Sequence, residues 1–288
     1  MLGSTDLDRV RAHPGFPAYM RRATQIWRAP LSVDAILASN LRDLGRFVAG
    51  LWSLYLYATP GGFTLARLSS LLEQTGISGP GRARSMIIFL RFIGYIEPVK
   101  GSGDARKRAF QPTERMAAAF RERYRLECEA AAPLDPAFAT GLARINEPDF
   151  FMAMMAAIGE LTLAGLQQFE PQQTSLNAVS HRFAGMMVVG ELLATAETPD
   201  SAYPPVGTFR FSLATLAKTC GISRTQARRI LRAGTEEGFF VMPGEGEVEL
   251  TDLLAEHVAL LIACTFLMVQ WGCLQAIAAG GAGQAAAE

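Results

Sequence analysis

The chain has 288 residues, of which 50% are hydrophobic and 19% are charged. This length suffices for one large domain or two average ones, and the composition excludes a disordered tail. The 27 basic residues balance the 27 acidic ones, so the net charge favours no class of partner.

The charges are unevenly distributed along the chain. Residues 1–144 contain 20 basic and 12 acidic residues, a net charge of +8, whereas residues 145–288 contain 7 basic and 15 acidic residues, a net charge of −8. Such asymmetry indicates either a polyanionic partner or the docking of one half on the other.

The cysteines and the N-terminus indicate a reducing compartment. Cys128, Cys220, Cys264 and Cys273 stand far apart, without CxxC spacing, so we expect neither a disulfide framework nor a metal centre. The first 15 residues, MLGSTDLDRVRAHPG, lack the apolar core of a signal peptide, which favours a cytoplasmic location.

The first half is predicted to be helical with one β-hairpin. Residues 1–31 are predicted to form a basic N-terminal arm, and a long apolar helix follows Ser32 as far as the sequence TPGG. Shorter helices cover LARLSSLLEQ and ARSMIIFLRFIG, and YIEPVK and RKRAFQ form the hairpin. A helix ends this half (residues 32–131), and residues 132–136 are predicted to be a linker.

The second half, residues 137–288, is predicted to repeat this order. Two apolar helices, DFFMAMMAAIGELTLAGLQQF and SLNAVSHRFAGMMVVGELLATA, precede a Pro-rich loop, two shorter helices and the hairpin FFVMPGEGEVEL. The last helix has no charge between residues 258 and 287 and is long enough to span a bilayer. Gln270 and Gln275 lie near its middle, and no basic cluster flanks it. Residues 258–279 are therefore predicted to form a buried helix of a soluble protein and not a membrane span.

An internal repeat relates the two halves. Gly76-Ile77-Ser78 recurs 145 residues later as Gly221-Ile222-Ser223. Gly94-Tyr95-Ile96 corresponds to Gly238-Phe239-Phe240 at an offset of 144. The ordered set of matches predicts two helix–turn–helix–hairpin units, residues 63–113 and 209–251.

Residues 212–241 carry the most specific pattern. Ser212 fits the N-cap of a first helix, and Gly221 fits a tight turn that requires positive φ. Ser223 and Gln226 fit a capping box that starts a second helix. One face of that helix is apolar at Ala227, Ile230, Leu231 and Gly234. The opposite side carries the residues that we predict to contact DNA, which are Arg224, Thr225, Arg228, Arg229 and Arg232.

This segment resembles the winged helix-turn-helix of bacterial transcription regulators, and the long flanking helices are similar to those of the MarR-type group. The resemblance covers residues 212–251 and, more weakly, residues 63–113. It implies a mainly-α fold with tandem winged helix-turn-helix domains, two small β-hairpin wings and long apolar joining helices. Double-stranded DNA is the implied partner. Regulators of this group are usually homodimers with one winged helix per chain, so two copies here imply a monomeric pseudo-dimer or a homodimer.

The two copies differ in their candidate contacts. The outward helix face of the first copy offers few donors, Arg84 and Ser85, whereas its hairpin carries Lys100, Arg106, Lys107 and Arg108. The wing of the second copy carries Glu245, Glu247 and Glu249, which phosphates would repel, so the family's wing contact is not transferred to it. We therefore expect base readout from the second copy and phosphate contacts from the first.

The predicted function is sequence-specific DNA binding in transcription regulation, without a cofactor. No GxGxxG, GK[ST], HExxH or GxSxG signature indicates an enzyme, and the sequence leaves open whether a small-molecule effector binds. Three alternatives remain open: a winged-helix scaffold for protein partners, as in chromosome-condensation accessory subunits, a plasmid-type replication initiator, and a regulator tethered to a membrane by its last helix.

Overall fold

Helices form most of the chain, as predicted, and two small antiparallel sheets complete it. The computed structural model describes residues 4–28, 44–75, 80–99, 109–168, 176–180 and 182–285. The helices are α1 (Ser4–Arg11), α2 (Phe16–Arg28), α3 (Leu44–Ala58), α4 (Leu65–Gln74), α5 (Pro80–Phe92), α6 (Glu114–Ala131), α7 (Pro136–Arg144), α8 (Pro148–Gln168), α9 (Asn177–Ser180), α10 (Gly185–Ala194), α11 (Leu213–Cys220), α12 (Arg224–Glu236) and α13 (Asp252–Ala285). The strands are β1 (Phe63–Thr64), β2 (Ile96–Pro98), β3 (Ala109–Pro112), β4 (Gly207–Arg210), β5 (Phe240–Val241) and β6 (Glu247–Leu250).

The two sheets have the same topology. Their strand orders are β1-β3-β2 and β4-β6-β5, and all pairs are antiparallel. In each case a strand, two helices and a hairpin follow a helix (α3 or α10) and precede another (α6 or α13). We call residues 63–113 the first unit and residues 207–251 the second unit.

Hydrogen bonds around the hairpins also repeat. Gly94 and Gly238 both have positive φ, of 72° and 79°. The next backbone N–H, of Tyr95 or Phe239, donates to a carbonyl on the preceding helix at 2.8 Å in both units. Thr113 Oγ1 donates to the Gly94 carbonyl at 2.7 Å, and Thr251 Oγ1 donates to the Gly238 carbonyl at 2.8 Å. Positions 144 residues apart are therefore structurally equivalent around both glycines.

Strands β1 and β4 are additions to the predicted hairpins. Phe63 and Thr64 pair with Phe110 and Ala109, and β4 pairs with β6 from Gly207 to Arg210. A two-residue strand has no room for an alternating pattern, so periodicity could not identify β1.

The second predicted apolar helix, SLNAVSHRFAGMMVVGELLATA, is wrong as a continuous element. It is divided into α9 and α10, and Ala184 between them has a positive φ of 63°. A Cβ at Gly185 would lie 1.8 Å from the Val179 carbonyl oxygen. The close contact between Gly185 and Val179 therefore accompanies a break in a helix that the apolar periodicity predicted to be continuous.

The N-terminal segment packs on both halves of the chain. Helix α2 buries Phe16, Tyr19 and Met20 and contacts α6, α10 and α13. Arg11 forms an ion pair with Glu256 at 2.6 Å, and Arg28 forms one with Glu191 at 2.8 Å. Residues 4–28 of the predicted basic arm are therefore folded helices, with arginines paired to acidic residues of the second half.

Helix α13 forms much of the central core. Residues 252–281 are apolar and long enough to cross a membrane by length and composition alone, yet Val258, Ile262 and Phe266 are buried against other helices. Gln270 Nε2 donates to Asp135 Oδ2 at 2.7 Å. Asp135 lies within the segment predicted as a linker, so this bond ties that segment to α13. A hydrogen-bonded glutamine is typical of a helix packed within a protein.

Glu127 is a carboxylate enclosed in the core. Its side chain is 2% exposed, and Arg123 Nη2 lies 2.6 Å from Oε1. Burial raises the pKa of Glu127, and the Arg123 charge opposes this shift. The protonated form is therefore favoured on folding, and the unfolded chain releases the proton at a lower pH.

The burial of α13 predicts a contrast between its two faces. Phe266 contacts the rings of Tyr19 and Phe138, so Phe266→Ala should lower the free energy of unfolding by about 3–5 kcal/mol. Leu274 is exposed on the same helix, and Leu274→Ala should change it by less than about 1 kcal/mol. Urea unfolding of both variants measures this, and equal effects would contradict the packing of α13.

The raised pKa of Glu127 predicts a pH dependence. Between the unfolded and folded pKa values the folded state binds more protons, so its stability contribution falls as pH rises through that window. Glu127→Gln should remove this fall. Denaturant unfolding of both proteins at several pH values from about 4 to 7 measures this effect. The free energy of unfolding should fall less with rising pH in the variant than in wild type, and parallel pH dependences would contradict the prediction.

Candidate nucleic-acid interface

A tight turn sets the angle between helices α11 and α12. Gly221 has φ 62° and ψ 38°, and its N–H donates to the Lys218 carbonyl at 3.1 Å. The Ile222 N–H donates to the Ala217 carbonyl at 3.0 Å. This pair of bonds is a Schellman motif, which favours glycine at the left-handed position. The turn predicted from Gly221 is confirmed.

Serine side chains cap both helices at their N-termini. Ser212 Oγ accepts a hydrogen bond from the Thr215 N–H at 3.3 Å, and Ser223 Oγ accepts one from the Gln226 N–H at 3.1 Å. Each cap satisfies an N–H that has no partner within its helix, which fixes the residue where the helix begins. Helix α12 therefore begins at Arg224, as predicted.

The inward face of α12 packs on the second sheet. Ala227, Ile230, Leu231 and Gly234 are buried, in agreement with the periodicity. A Cβ at Gly234 would lie 2.2 Å from Phe240 Cε2, and Phe240 is fully buried. Gly234 thus permits the helix to approach β5 closely, and this contact holds α12 in one orientation.

The outward side of α12 is cationic. Arg224, Thr225, Arg228, Arg229 and Arg232 are all exposed. Arg232 Nε donates to Glu236 Oε1 at 2.8 Å. Arg224, Arg228 and Arg229 make no hydrogen bond or ion pair within the described part of the chain. Their guanidinium groups are therefore available to an anionic partner, and the positive end of the helix dipole lies beside Arg224.

The hairpin that follows α12 has the opposite charge. Residues 237–256 contain six acidic residues and no lysine or arginine. Glu245 and Glu247 line a groove of about 530 Å³ with Arg210 and Ser212. A polyanion would be repelled here, so the candidate interface is confined to α12 in this unit.

The first unit presents a mixed surface. Arg84 and Ser85 are exposed on α5, and Ser85 Oγ donates to the Gly81 carbonyl at 3.3 Å. Ile88 and Phe92 are also exposed, so apolar and cationic side chains share the outward side of this helix. Arg82 and Arg91 add two exposed charges that the sequence prediction left out. The candidates Lys100, Arg106, Lys107 and Arg108 lie outside the described residues.

No family model, curated protein or solved structure matches this chain. The interpretation of the α12 surface therefore depends on its residues and their geometry.

The contact between Gly234 and Phe240 predicts a stability effect. Gly234→Ala forces a methyl group against the Phe240 ring, so it should lower the free energy of unfolding by about 1–3 kcal/mol. Gly81 lies on α5 with no atom within 4 Å of an added Cβ. The control Gly81→Ala should be neutral or stabilise by up to about 1 kcal/mol. Denaturant unfolding that ranks the two variants in the reverse order would contradict this packing.

Proposed function

We propose that this protein is a sequence-specific DNA-binding transcription regulator. Its two units would be winged helix-turn-helix domains within one chain, and α12 of the second unit would be the helix that reads DNA. The chain would then act as a pseudo-dimer of unlike halves. DNA binding by this route needs no cofactor and no catalytic residue.

The observation that carries this proposal is the set of unpaired arginines on α12. Arg224, Arg228 and Arg229 are exposed and have no partner among the residues that the structure describes. Caps and packing fix the ends and the opposite face of their helix. Arginine donates two parallel hydrogen bonds to the guanine edge in the major groove and also binds phosphates. A rigid helix that presents several such groups is suited to this groove.

The order of elements supports the same proposal. The resemblance to the winged helix-turn-helix group implies a helix, a strand, two helices and a hairpin in this order. Both units have this order. The third strand of each unit lies between the other two. The basic residues of the first hairpin, which the sequence assigns to phosphate contacts, remain a prediction from the sequence.

The proposal predicts a specific effect for Arg229. A duplex selected from a random-sequence library serves as the preferred site, and a scrambled duplex of equal composition serves as the reference. Arg229→Ala should weaken binding to the preferred duplex by about 1–3 kcal/mol and relax specificity at one position, because a base contact is lost. Fluorescence titrations of both duplexes at several salt concentrations measure the loss of affinity and the loss of specificity.

A matched control separates a contact from a loss of charge. Arg144 lies on α7, paired with Glu147 at 2.8 Å, and Arg144→Ala removes the same charge outside both units. This control should bind both duplexes like the unaltered protein. If wild-type protein fails to retain either duplex at low salt, where electrostatic binding is strongest, the DNA-binding proposal is wrong.

A protein-interaction scaffold is the second candidate function. The acidic second hairpin and the exposed Ile88 and Phe92 favour it. In that case sheared genomic DNA would not shift in a gel at any salt concentration. A replication initiator would instead bind clustered sites near one origin, and genome-wide immunoprecipitation of the tagged protein distinguishes it from a regulator bound at many promoters.

A further inference from the structure

Helices α5 and α12 are equivalent elements with different outward surfaces. Gly94 corresponds to Gly238, so the offset of 144 residues aligns the two helices. The equivalent positions on the inward faces are buried and apolar in both units. They are Ala83, Met86 and Ile87 on α5, and Ala227, Ile230 and Leu231 on α12. By the same offset, Ile88 is equivalent to Arg232, and Phe92 is equivalent to Glu236.

This outward pair is an ion pair in one unit and an apolar pair in the other. Arg232 and Glu236 form a solvated bridge of 2.8 Å, one helical turn apart. Ile88 and Phe92 occupy the equivalent positions on α5 with 60% and 87% of their surface exposed. Two large apolar side chains in water at adjacent positions indicate a surface that a partner covers.

A groove and three arginines lie on the same unit as this pair. Ile88, Phe92 and Pro98 line a concave surface of about 630 Å³, and Glu97 is the one acidic residue among the described residues of its lining. Arg91 also lines this surface, and Arg82 and Arg84 are exposed on the same helix. These three arginines make no ion pair within the described ranges. We call Ile88, Phe92 and these three arginines the basic patch. A complementary surface would be apolar with an acidic rim.

The second unit carries a surface of that kind. Val241, Met242 and Leu253 are 43%, 38% and 44% exposed. Leu253 Cδ2 lies 3.6 Å from the position of a Cβ on Gly238, which places it beside the start of β5. The acidic residues of 237–256 surround these side chains in sequence, with no basic residue among them. We call this surface the acidic patch.

We propose that the chain associates with a second copy of itself, with the basic patch of one copy docked on the acidic patch of the other. The chain itself supplies both halves of the contact, with apolar centres and opposite charges. Because the two patches differ, the contact is heterologous. One copy of the pair keeps its acidic patch and the other keeps its basic patch for a further contact. This association does not depend on DNA binding by α12 and is tested without DNA.

The structure provides a variant of the basic patch that the fold tolerates. Ile88→Arg/Phe92→Glu installs on α5 the ion pair that α12 carries at the same positions. For the acidic patch, Leu253→Arg/Val241→Arg removes apolar surface and reverses charge. At position 253, arginine matches the first unit, where Arg115 follows Thr113 as Leu253 follows Thr251. Circular dichroism and thermal unfolding show whether each variant is folded.

Sedimentation velocity of the full chain over a range of concentrations is the measurement. Wild-type protein should associate, more weakly at high salt, because the rims are charged. Each variant should raise the concentration needed for association by more than about tenfold. A mixture of the two folded variants should form a 1:1 complex, because each contributes the patch that the other lacks.

Three results would overturn the proposal. The wild-type chain would stay monomeric at every concentration, or the acidic-patch variant alone would associate as well as wild type, or the mixture would show no complex. A control pair, Trp271→Arg/Leu274→Glu, alters two other exposed apolar residues on α13. It should leave association unchanged. Loss of association in this control would show that the contact involves α13 and would contradict the proposal.

Discussion

The close packing of α8 between α3 and α13 is the constraint that relates the two units. Helix α3 leads into the first unit and α13 leaves the second, and both lie against α8. A Cβ at Gly159 would lie 2.5 Å from Tyr55 Cβ on α3, and one at Gly272 would lie 2.6 Å from Ile158 Cγ1 on α8. Glycine at these two positions brings three apolar helices to a separation that a larger side chain would prevent. Because both units are anchored to this stack, the distance between their outward helices is set by the core and not by a flexible linker.

The opposite net charges of the two halves are partly used within the molecule. Arg11, Arg21 and Arg28 on α1 and α2 pair with Glu256, Asp200 and Glu191 of the second half. Docking of one half on the other was one of the two explanations that the charge distribution offered, and these pairs bear it out in part. They are partly exposed, so each adds little to stability. Their main effect is to orient the N-terminal helices over the second half. The arginines of α12 are different, because among the described residues only Arg232 of this helix has an acidic partner.

Local signals in the sequence predicted local structure well. Gly221, Ser223 and the buried positions of α12 were identified correctly because turn, cap and helical period each depend on residues a few positions apart. Elements that depend on distant partners were missed. Strand β1 exists only because β3 pairs with it, and the break at Ala184 results from packing between Gly185 and Val179. Arg11, Arg21 and Arg28 have acidic partners more than 160 residues away, so charge alone predicted an arm where the structure has packed helices. For the candidate site, the sequence named the exposed residues of α12. It could not show that three of the four arginines on this helix have no partner in the part of the chain that the structure describes.

The distribution of charge within the second unit decides how a duplex would approach it. Arg224, Arg228 and Arg229 concentrate positive charge on the first turns of α12, next to the positive end of the helix dipole. At the last turn Glu236 neutralises Arg232, and the acidic residues of 237–256 follow. Phosphates are attracted to the beginning of α12 and repelled from the hairpin beyond its end. A duplex bound in the proposed manner would therefore contact the N-terminal turns of α12 and leave the second hairpin uncovered. That hairpin belongs to the acidic patch, so within the second unit DNA binding and self-association would use separate surfaces. In the first unit the basic patch includes Arg84, which is also a candidate DNA contact.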